Sequence, residues 1–205
     1  MKIYIDFDGT LFDTFKLKQE FINLFNKYNV KKEYIEKIIN ESYQKDKNLD
    51  ILAKKIIEKN NLDSSILTEL DNIYSKKLIY KDAIPFLEKY YQKYDLILLT
   101  LGTAKYQQKK INASNISKYF KKIIITNNDK SKLNIDYNSG IFIDNNPLEL
   151  KKFYNSHAEH LIRIKRDNDK YSKLKKDINS IVEFTDFNDL LESKYIEKIG
   201  EFNYE

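Results

Sequence analysis

Short apolar runs alternate with helical patterns along most of this 205-residue chain, and this alternation constrains the fold more than any other feature. The runs have the length of buried strands and lie at 2–7, 95–100, 122–126, 140–144, 160–165 and 181–184. Apolar residues at helical spacing lie between or after them, at 83–93, 105–112, 148–154 and 189–199. Strands that alternate with helices are typical of parallel βαβ units. We therefore predict an α/β fold with a Rossmann-like, three-layer core around a parallel sheet.

The segment 15–79 differs from the rest of the chain because it contains no strand pattern, no glycine and no proline. Its apolar residues recur at the i, i+3 and i+4 spacing of amphipathic helices, in about four stretches. We predict that residues 15–79 form a helical cap domain. It is inserted into a Rossmann-like core that residues 1–14 and 80–205 form together.

Composition limits the kinds of site and the location that we expect. The chain has no cysteine, which excludes disulfides and thiolate metal sites. Asp6 interrupts the apolar region that a signal peptide would need, and the apolar runs are far shorter than the roughly 20 residues of a membrane span. We expect a cytoplasmic protein with no membrane partner.

The net charge of +5 comes from 36 basic and 31 acidic residues that are interleaved along the chain. Interleaved charge is typical of a solvated surface rather than of a nucleic-acid footprint. Nucleic acid is therefore not expected as a partner, and the sequence leaves the oligomeric state open.

The stretch DFDGTLFD, residues 6–13, places three aspartates within eight residues directly after the first apolar run. Alternate residues of a strand point to the same side, so Asp6 and Asp8 are predicted to project together. Gly9 permits an unusual backbone turn, to which Thr10 offers a hydroxyl and an N–H group. Two like charges about 4 Å apart repel by roughly 4 kcal/mol at an effective dielectric constant of 20. We therefore expect a compensating cation nearby.

Polar residues also accompany the carboxyl ends of the other predicted strands. They are Thr100, Leu101 and Gly102 after the second run, Lys130 after the run 122–126, and Asp144 at the end of the run 140–144. Ligands of open parallel sheets bind beyond the carboxyl ends of the strands, so these groups are expected to converge with the aspartates of the first run. Oxygen ligands without histidine or cysteine favour Mg²⁺, bound through carboxylates, waters and a substrate phosphate.

These motifs resemble those of the haloacid dehalogenase-like (HAD) superfamily. DFDGTLFD is similar to the first motif, Asp-x-Asp-Gly-Thr-Leu-x-Asp, and LILLT with Thr100 resembles the second. Lys130 resembles the third motif, a lysine of variable position, and IFIDNNP with Asp144 resembles the fourth. The resemblance implies a Mg²⁺-dependent phosphatase that acts on a small phosphomonoester. The alternatives are a phosphomutase, a phosphotransferase or a dehalogenase on the same fold, and a catalytically weak binding protein. Dehalogenases need no metal, so the retained acidic residues disfavour that alternative.

The resemblance also implies a role for each matching residue. Asp6 is the nucleophile that becomes an aspartyl-phosphate, and Asp8 is general acid for the leaving group and then general base for water. Mg²⁺ is bound by the carboxylates of Asp6 and Asp144 and by the backbone carbonyl of Asp8. The residues that bind the substrate phosphate are Thr100, Leu101, Gly102, Lys130, Gly9 and Thr10.

The sequence departs from the family pattern in the fourth motif. Members usually have a second acidic residue there, often next to the first, whereas this chain has Asn145. Either metal binding is weaker, or Glu149 one helical turn further on takes the place of that residue.

The sequence also leaves open which lysine binds the substrate phosphate. Lys130 is preferred, Lys132 is nearby, and Lys109 is a third candidate. The spacing after Lys130 leaves room for only a short helix, residues 130–137. No short motif in 15–79 identifies the substrate, so a sugar phosphate, a nucleoside monophosphate and a phosphorylated acid all remain open.

Overall fold

A parallel sheet forms from the short apolar runs. The computed structural model describes residues 1–42, 48–75 and 78–202, and in this part of the chain the sheet has six strands. They are β1 (Lys2–Ile5), β2 (Asp95–Leu101), β3 (Lys122–Thr126), β4 (Gly140–Asp144), β5 (His160–Ile164) and β6 (Ile181–Phe184). Every neighbouring pair is parallel, in the order β3-β2-β1-β4-β5-β6. The predicted α/β class with a Rossmann-like core is confirmed.

Helices connect these strands. In chain order they are α1 (Thr14–Asn26), α2 (Lys32–Ser42), α3 (Leu49–Lys59), α4 (Ile66–Ser75), α5 (Ala83–Tyr90), α6 (Ala104–Ser114), α7 (Pro147–Asn155), α8 (Phe187–Ser193) and α9 (Tyr195–Phe202). The prediction of one helix over 189–199 is wrong, because Lys194 takes a left-handed φ of 54° and separates α8 from α9. The prediction of a short helix over 130–137 is also wrong, since only the 3₁₀ turn Lys130–Lys132 forms there.

The four inner strands β1, β2, β4 and β5 bury most of their side chains on both faces of the sheet, whereas the edge strands β3 and β6 are largely half-buried. All five residues of β4 are buried, and so are Ile3 and Ile5 of β1. The rings of Tyr4 and Phe142 stack with their centroids 4.7 Å apart. A strand that is buried on both faces carries a continuous apolar sequence. This explains why the strands are visible in the sequence.

Contacts within the chain divide it into two units. The first consists of Met1–Asp13, Ile79–Leu101 and Ile116–Glu205, and it contains the sheet. The second consists of Thr14–Leu78 and Gly102–Asn115, and it contains the inserted helices α1–α4 together with α6. The helical insertion after β1 is therefore present, whereas the predicted core segment 80–205 included α6.

Side-chain contacts explain why α6 belongs to the helical unit. The Nζ atom of Lys109 lies 3.0 Å from a carboxylate oxygen of Asp50 in α3 and 2.5 Å from one of Asp71 in α4. The rings of Tyr74 and Tyr106 meet edge to face at 5.9 Å. Lys109, the third candidate for the phosphate-binding lysine, is thus paired with acidic side chains of the second unit.

The strand order of the first unit fixes where a ligand can bind. From β1 the chain continues to one side through β2 and β3 and later to the other side through β4, β5 and β6. The crevice at such a switch point, beyond the carboxyl ends of the strands, is the usual ligand site of open α/β sheets. Ile5 pairs with Ile143, so the residues that follow them lie side by side at this edge. None of the helices in the described ranges is long and apolar enough to cross a membrane.

Candidate active site

Asp6 and Asp144 come together because of the register between β1 and β4. Strand β1 ends at Ile5, two residues earlier than predicted, and the N–H of Asp6 then donates to the carbonyl of Ile143 at 2.9 Å. Asp144 is the last residue of β4. Both side chains are buried, with 7% of Asp6 and 2% of Asp144 exposed. Two carboxyl groups thus meet at the switch point of the sheet.

The ammonium group of Lys130 bridges these two carboxylates. Its Nζ donates to Asp6 Oδ1 at 2.5 Å and to Asp144 Oδ2 at 3.0 Å, and Lys130 is only 3% exposed. The 3₁₀ turn that carries Lys130 begins with Asp129, whose side chain accepts from the Ser131 N–H at 3.0 Å. Lys132, at the end of the same turn, is exposed. The structure therefore places Lys130, rather than Lys132, at the carboxylates.

The second oxygen of each carboxylate is held as well. Asp6 Oδ2 accepts from the hydroxyl of Thr10 at 3.0 Å. Asp144 Oδ1 accepts from the backbone N–H of Asn146 at 2.9 Å. Both carboxylates are consequently fixed at two points, which orients them before any ligand arrives.

The turn after Asp6 depends on Gly9. Its φ is +86°, and a Cβ atom at this position would overlap the Nδ2 atom of Asn145. The turn is closed by hydrogen bonds from the N–H of Phe12 to the carbonyl of Phe7 and from the N–H of Gly9 to the carbonyl of Phe12. Asp8 lies within this turn and is less buried than Asp6. Glycine is therefore required for the close packing of this turn against the loop after β4.

Burial changes the acidity of the clustered groups. Burial raises the pKa of Asp6, and Asp8 acts in the same direction, while Lys130 and Thr10 lower it. Burial also raises the pKa of Asp144, to about 7, and the charge of Asp6 contributes. Burial lowers the pKa of Lys130, but its two carboxylate partners outweigh this and the pKa lies above its ordinary value. Lys130 therefore stays charged and offsets the negative charge of the two carboxyl groups.

This donor set fits a divalent cation. Carboxylate and carbonyl oxygens are the ligands that Mg²⁺ prefers, and a carboxylate oxygen that accepts one hydrogen bond keeps a second lone pair. Within the described residues, no three His, Cys, Asp or Glu side chains are grouped so that they could hold a metal ion. A metal ion would therefore rely on Asp6 and Asp144, completed by carbonyl and water oxygens.

The residues predicted at the end of the second strand lie beside β1. Leu98 of β2 pairs with Ile5, and Thr100 follows two residues further along β2, fully buried. Leu101 ends the strand. Gly102 comes next with a φ of +151° and belongs to the second unit.

Comparison with known proteins adds to this picture. No family model matches the chain, and no curated protein matches it in sequence. A HAD-hydrolase from Bacillus subtilis bound to magnesium is similar in structure, with a TM-score of 0.63, 12% identity and coverage of 95% of this chain and 98% of that chain. A HAD phosphatase from Thermococcus onnurineus is also similar, with a TM-score of 0.63, 21% identity and coverage of 95% of this chain and 98% of that chain. The chain has the fold of the HAD superfamily.

A dehalogenase has this HAD fold too. L-2-haloacid dehalogenase from Xanthobacter autotrophicus has a TM-score of 0.55 and 17% identity, and the match covers 80% of this chain and 77% of that chain. At these identities the likeness establishes the HAD fold alone. The chemistry has to be argued from the side chains.

Asn145, which departs from the HAD pattern, is a buried bridging residue. It is 2% exposed, and its backbone N–H donates to Thr10 Oγ1 at 3.0 Å. Its side-chain Nδ2 donates to Asp169 Oδ2 at 2.6 Å. Glu149, the predicted substitute for the missing acid, instead accepts from Lys152 at 2.7 Å.

Residues of the loop after β5 were not predicted as part of the site. Burial raises the pKa of Asp169, which accepts from Asn145. Partial desolvation lowers the pKa of Lys170. The negative charges of nearby carboxylates raise it by less; these are Asp169, Asp8, Asp6 and Asp144. The charged stretch 166–170 directly follows the predicted strand 160–165. Polar residues at the carboxyl end of a predicted strand indicate Thr100 and Asp144 as site residues. The same criterion applied to this strand indicates the loop that contains Asp169 and Lys170.

Proposed function

We propose that this HAD-fold protein is a Mg²⁺-dependent phosphatase that hydrolyses a small phosphomonoester through an aspartyl-phosphate. The observation that carries the proposal is the buried cluster in which Lys130 bridges Asp6 and Asp144 at the switch point of the sheet. A further carboxyl group, Asp8, lies two residues from Asp6. The magnesium-bound hydrolase and the phosphatase among the structural neighbours support the same reading.

In the first step a carboxylate oxygen of Asp6 attacks the phosphorus atom. A new O–P bond forms, and the bond between phosphorus and the leaving alkoxide breaks. The protonated carboxyl group of Asp8 gives its proton to that alkoxide, which leaves as an alcohol. General acid–base assistance of this kind contributes typically about 10² to 10⁴-fold.

In the second step water hydrolyses the aspartyl-phosphate. Asp8, now a carboxylate, accepts a proton from the water as its oxygen bonds to phosphorus. The bond between phosphorus and Asp6 breaks, inorganic phosphate forms, and Asp8 is protonated again. The proton balance closes over one turnover.

Lys130 makes the attack electrostatically feasible. An anionic carboxylate and a phosphate dianion repel each other, and the ammonium offsets that repulsion next to Asp6 Oδ1. Thr10 holds the other oxygen of Asp6 in place. When bound, Mg²⁺ would be held by Asp6, Asp144 and the Asp8 carbonyl, and it would supply further charge to the phosphate oxygens.

A metal-independent dehalogenase is the second candidate. The bridging position of the Lys130 ammonium favours it, because that ammonium already neutralises part of the carboxylate charge. Asp8 counts against it, because a halide leaving group needs no proton and a dehalogenase has no use for a general acid there.

The discriminating experiment is turnover of p-nitrophenyl phosphate with Mg²⁺ and with EDTA. Asp6→Asn should lower kcat by at least about 10³-fold, as loss of a covalent nucleophile does. Asp136→Asn, an exposed position whose carboxylate accepts from Ser139, is the matched control and should keep the wild-type rate. A wild-type rate in Asp6→Asn would refute the nucleophile.

Other outcomes assign other functions. Halide release from a 2-haloacid in EDTA would favour the dehalogenase, and transfer of phosphate to an added alcohol would favour a phosphotransferase. Absence of turnover would favour a binding protein. A panel of sugar phosphates, nucleoside monophosphates and phosphorylated acids then identifies the substrate class.

A further inference from the structure

We propose that Asp169 is a positioning residue that orients the nucleophile Asp6 through Asn145 and Thr10. The proposal rests on the proposed function in one respect, since it takes Asp6 as the nucleophile. Asp169 lies in the loop after β5, more than a hundred residues from Asp6 in sequence.

A continuous chain of hydrogen bonds joins Asp169 to Asp6. Asp169 Oδ2 accepts from Asn145 Nδ2 at 2.6 Å. The backbone N–H of Asn145 donates to Thr10 Oγ1 at 3.0 Å. The Thr10 hydroxyl in turn lies 3.0 Å from Asp6 Oδ2. Four residues from three separate loops are thereby linked.

Asp169 decides which way the amide of Asn145 faces. An ionised carboxylate only accepts hydrogen bonds, so the nitrogen of the amide turns towards Asp169. The amide oxygen, Asn145 Oδ1, then lies 3.3 Å from Thr10 Oγ1. The hydroxyl of Thr10 accepts the backbone N–H of Asn145 and has a single proton to donate, with Asp6 Oδ2 as the closer acceptor. Asp169 anchors the side chain of Asn145, so without Asp169 the backbone N–H of Asn145 no longer holds the Thr10 hydroxyl at a fixed position.

The relay of Asp169, Asn145, Thr10 and Asp6 is buried from Asn145 onwards, and its Asp169 end is half-buried. Thr10 is fully buried and Asn145 is 2% exposed. The missing Cβ of Gly9 leaves the space that Asn145 Nδ2 occupies. Burial removes competing water from the hydrogen bonds between Asn145, Thr10 and Asp6, so a shift of Asn145 is passed on to Thr10.

Two buried arginines anchor the Asp169 loop to the same relay residues. Arg163 Nη2 donates to the carbonyl of Tyr171 at 2.6 Å, and its Nε donates to the carbonyl of Asn145 at 3.2 Å. Arg166 Nη2 donates to the carbonyl of Thr10 at 3.1 Å. The loop is therefore held from both sides of Asp169, which fixes the carboxylate at Asn145.

The pairing also accounts for the asparagine in the fourth motif. A carboxylate at position 145 would face the carboxylate of Asp169 at hydrogen-bond distance, and two buried anions at that distance repel strongly. An amide supplies the N–H that Asp169 needs. The departure of Asn145 from the HAD pattern and the presence of Asp169 therefore belong to one arrangement.

The test compares Asp169→Ala, Asp169→Asn, Asn145→Asp and the reciprocal double variant N145D/D169N. Asp167→Ala is the matched control, since Asp167 is an exposed residue of the same loop. We expect kcat to fall about 10 to 100-fold in Asp169→Ala, the usual effect of removing a group that orients an active-site ligand. The KM should change by a smaller factor than kcat, because Asp169 acts on the orientation of the attacking carboxylate rather than on the substrate.

The other variants separate positioning from simple loss of stability. Asp169→Asn keeps an acceptor oxygen and should lose less rate than Asp169→Ala. Asn145→Asp should lose rate, and the double variant should recover part of it, because the new amide at position 169 can then donate to the new carboxylate at position 145. An equal loss of kcat in Asp167→Ala, or no loss in Asp169→Ala, would overturn the proposal.

Crystal structures of the wild type and Asp169→Ala provide a readout that needs no turnover. We expect Asn145 to shift once its side chain has lost Asp169, the Asn145 N–H to move away from Thr10 Oγ1, and the contact between Thr10 Oγ1 and Asp6 Oδ2 to open beyond hydrogen-bond distance. An unchanged Thr10–Asp6 contact would overturn the relay even if the enzyme is a phosphatase. If the wild type releases no phosphate and this contact opens as expected, the proposed function fails and the relay stands.

Discussion

Replacing Lys130 with methionine should destabilise the protein strongly. Methionine keeps an unbranched side chain of similar length but removes the ammonium that bridges Asp6 and Asp144. Two buried carboxylates then remain without their cation. Breaking a buried ion pair by removing one partner is costly because the other charge cannot regain its hydration.

The contact distances set the size of the effect. Nζ lies 2.5 Å and 3.0 Å from the two carboxylate oxygens, and Coulomb's law at an effective dielectric constant of about 20 gives about 12 kcal/mol of gross attraction. Burying the ammonium costs several kcal/mol in return, and loss of one partner of a buried pair costs about 3–5 kcal/mol in practice. We expect the free energy of unfolding to fall by about 4 kcal/mol near neutral pH.

The sign of the pH dependence follows from the raised pKa values. Burial already raises the pKa of Asp144 to about 7, and removal of Lys130 raises the pKa values of Asp144 and Asp6 further. A carboxyl group with a raised pKa binds more protons in the folded than in the unfolded state, so its contribution to stability is favourable at low pH and is lost as the pH rises through the folded pKa. The loss in unfolding free energy caused by Lys130→Met should therefore become smaller as the pH is lowered from about 8 to about 5.

Urea unfolding in EDTA, followed by far-UV circular dichroism and tyrosine fluorescence, measures this effect in a chain with 16 tyrosines and no tryptophan. Lys132→Met is the matched control, because Lys132 is exposed in the same turn, and it should change stability by less than about 0.5 kcal/mol. Equal stability of the two variants at about pH 8 would refute the electrostatic reasoning, and so would a Lys130→Met penalty that grows towards about pH 5.

Three further substitutions test the packing around the site and the core. Gly9→Ala should cost about 1–3 kcal/mol by urea unfolding, because φ is +86° and the new Cβ overlaps Asn145. Arg163→Lys should lower the unfolding free energy by about 3 kcal/mol or more, since an ammonium cannot reproduce the several donors of the buried guanidinium. Tyr90→Phe should cost about 1 kcal/mol through loss of its 2.7 Å hydrogen bond to Glu197. Burial raises the pKa of Glu197, but its hydrogen-bond partners Lys89 and Tyr90 lower it by more. The Tyr90→Phe cost measured by urea unfolding should therefore become smaller as the pH falls through that pKa, because a protonated carboxyl group is a weaker acceptor.

Much of the α/β architecture was readable from local pattern. Strands β3, β4 and β6 have the predicted bounds, and β2 and β5 differ from prediction by one residue at the carboxyl end. The inserted helices α1–α4 also follow their apolar spacing. A strand buried on both faces and an amphipathic helix both leave a periodic signature in neighbouring residues, which no distant contact is needed to recognise.

Part of the site was predictable for the same reason. The sequence indicates Asp6, Thr100 and Asp144 as site residues because each accompanies the carboxyl end of a strand, and such ends meet at one edge of a parallel sheet. Lys130 was preferred by its resemblance to a family motif, and the structure brings it to Asp6 and Asp144. The role of Asp6 as nucleophile stays a prediction until turnover is measured.

The partners of individual side chains depended on contacts between distant parts of the chain. The spacing of the sequence does not show which of Lys130 and Lys132 reaches the carboxylates. The 3₁₀ turn decides it, because its geometry buries Lys130 and exposes Lys132. In the sequence Asn145 is only a departure from the fourth motif, and the loop after β5 supplies its partner Asp169. Hydrogen bonds of this kind join residues that are adjacent only because of the strand order and the register of the sheet. Strand order and register produce no periodic pattern in the amino-acid sequence, so these partners cannot be predicted from it.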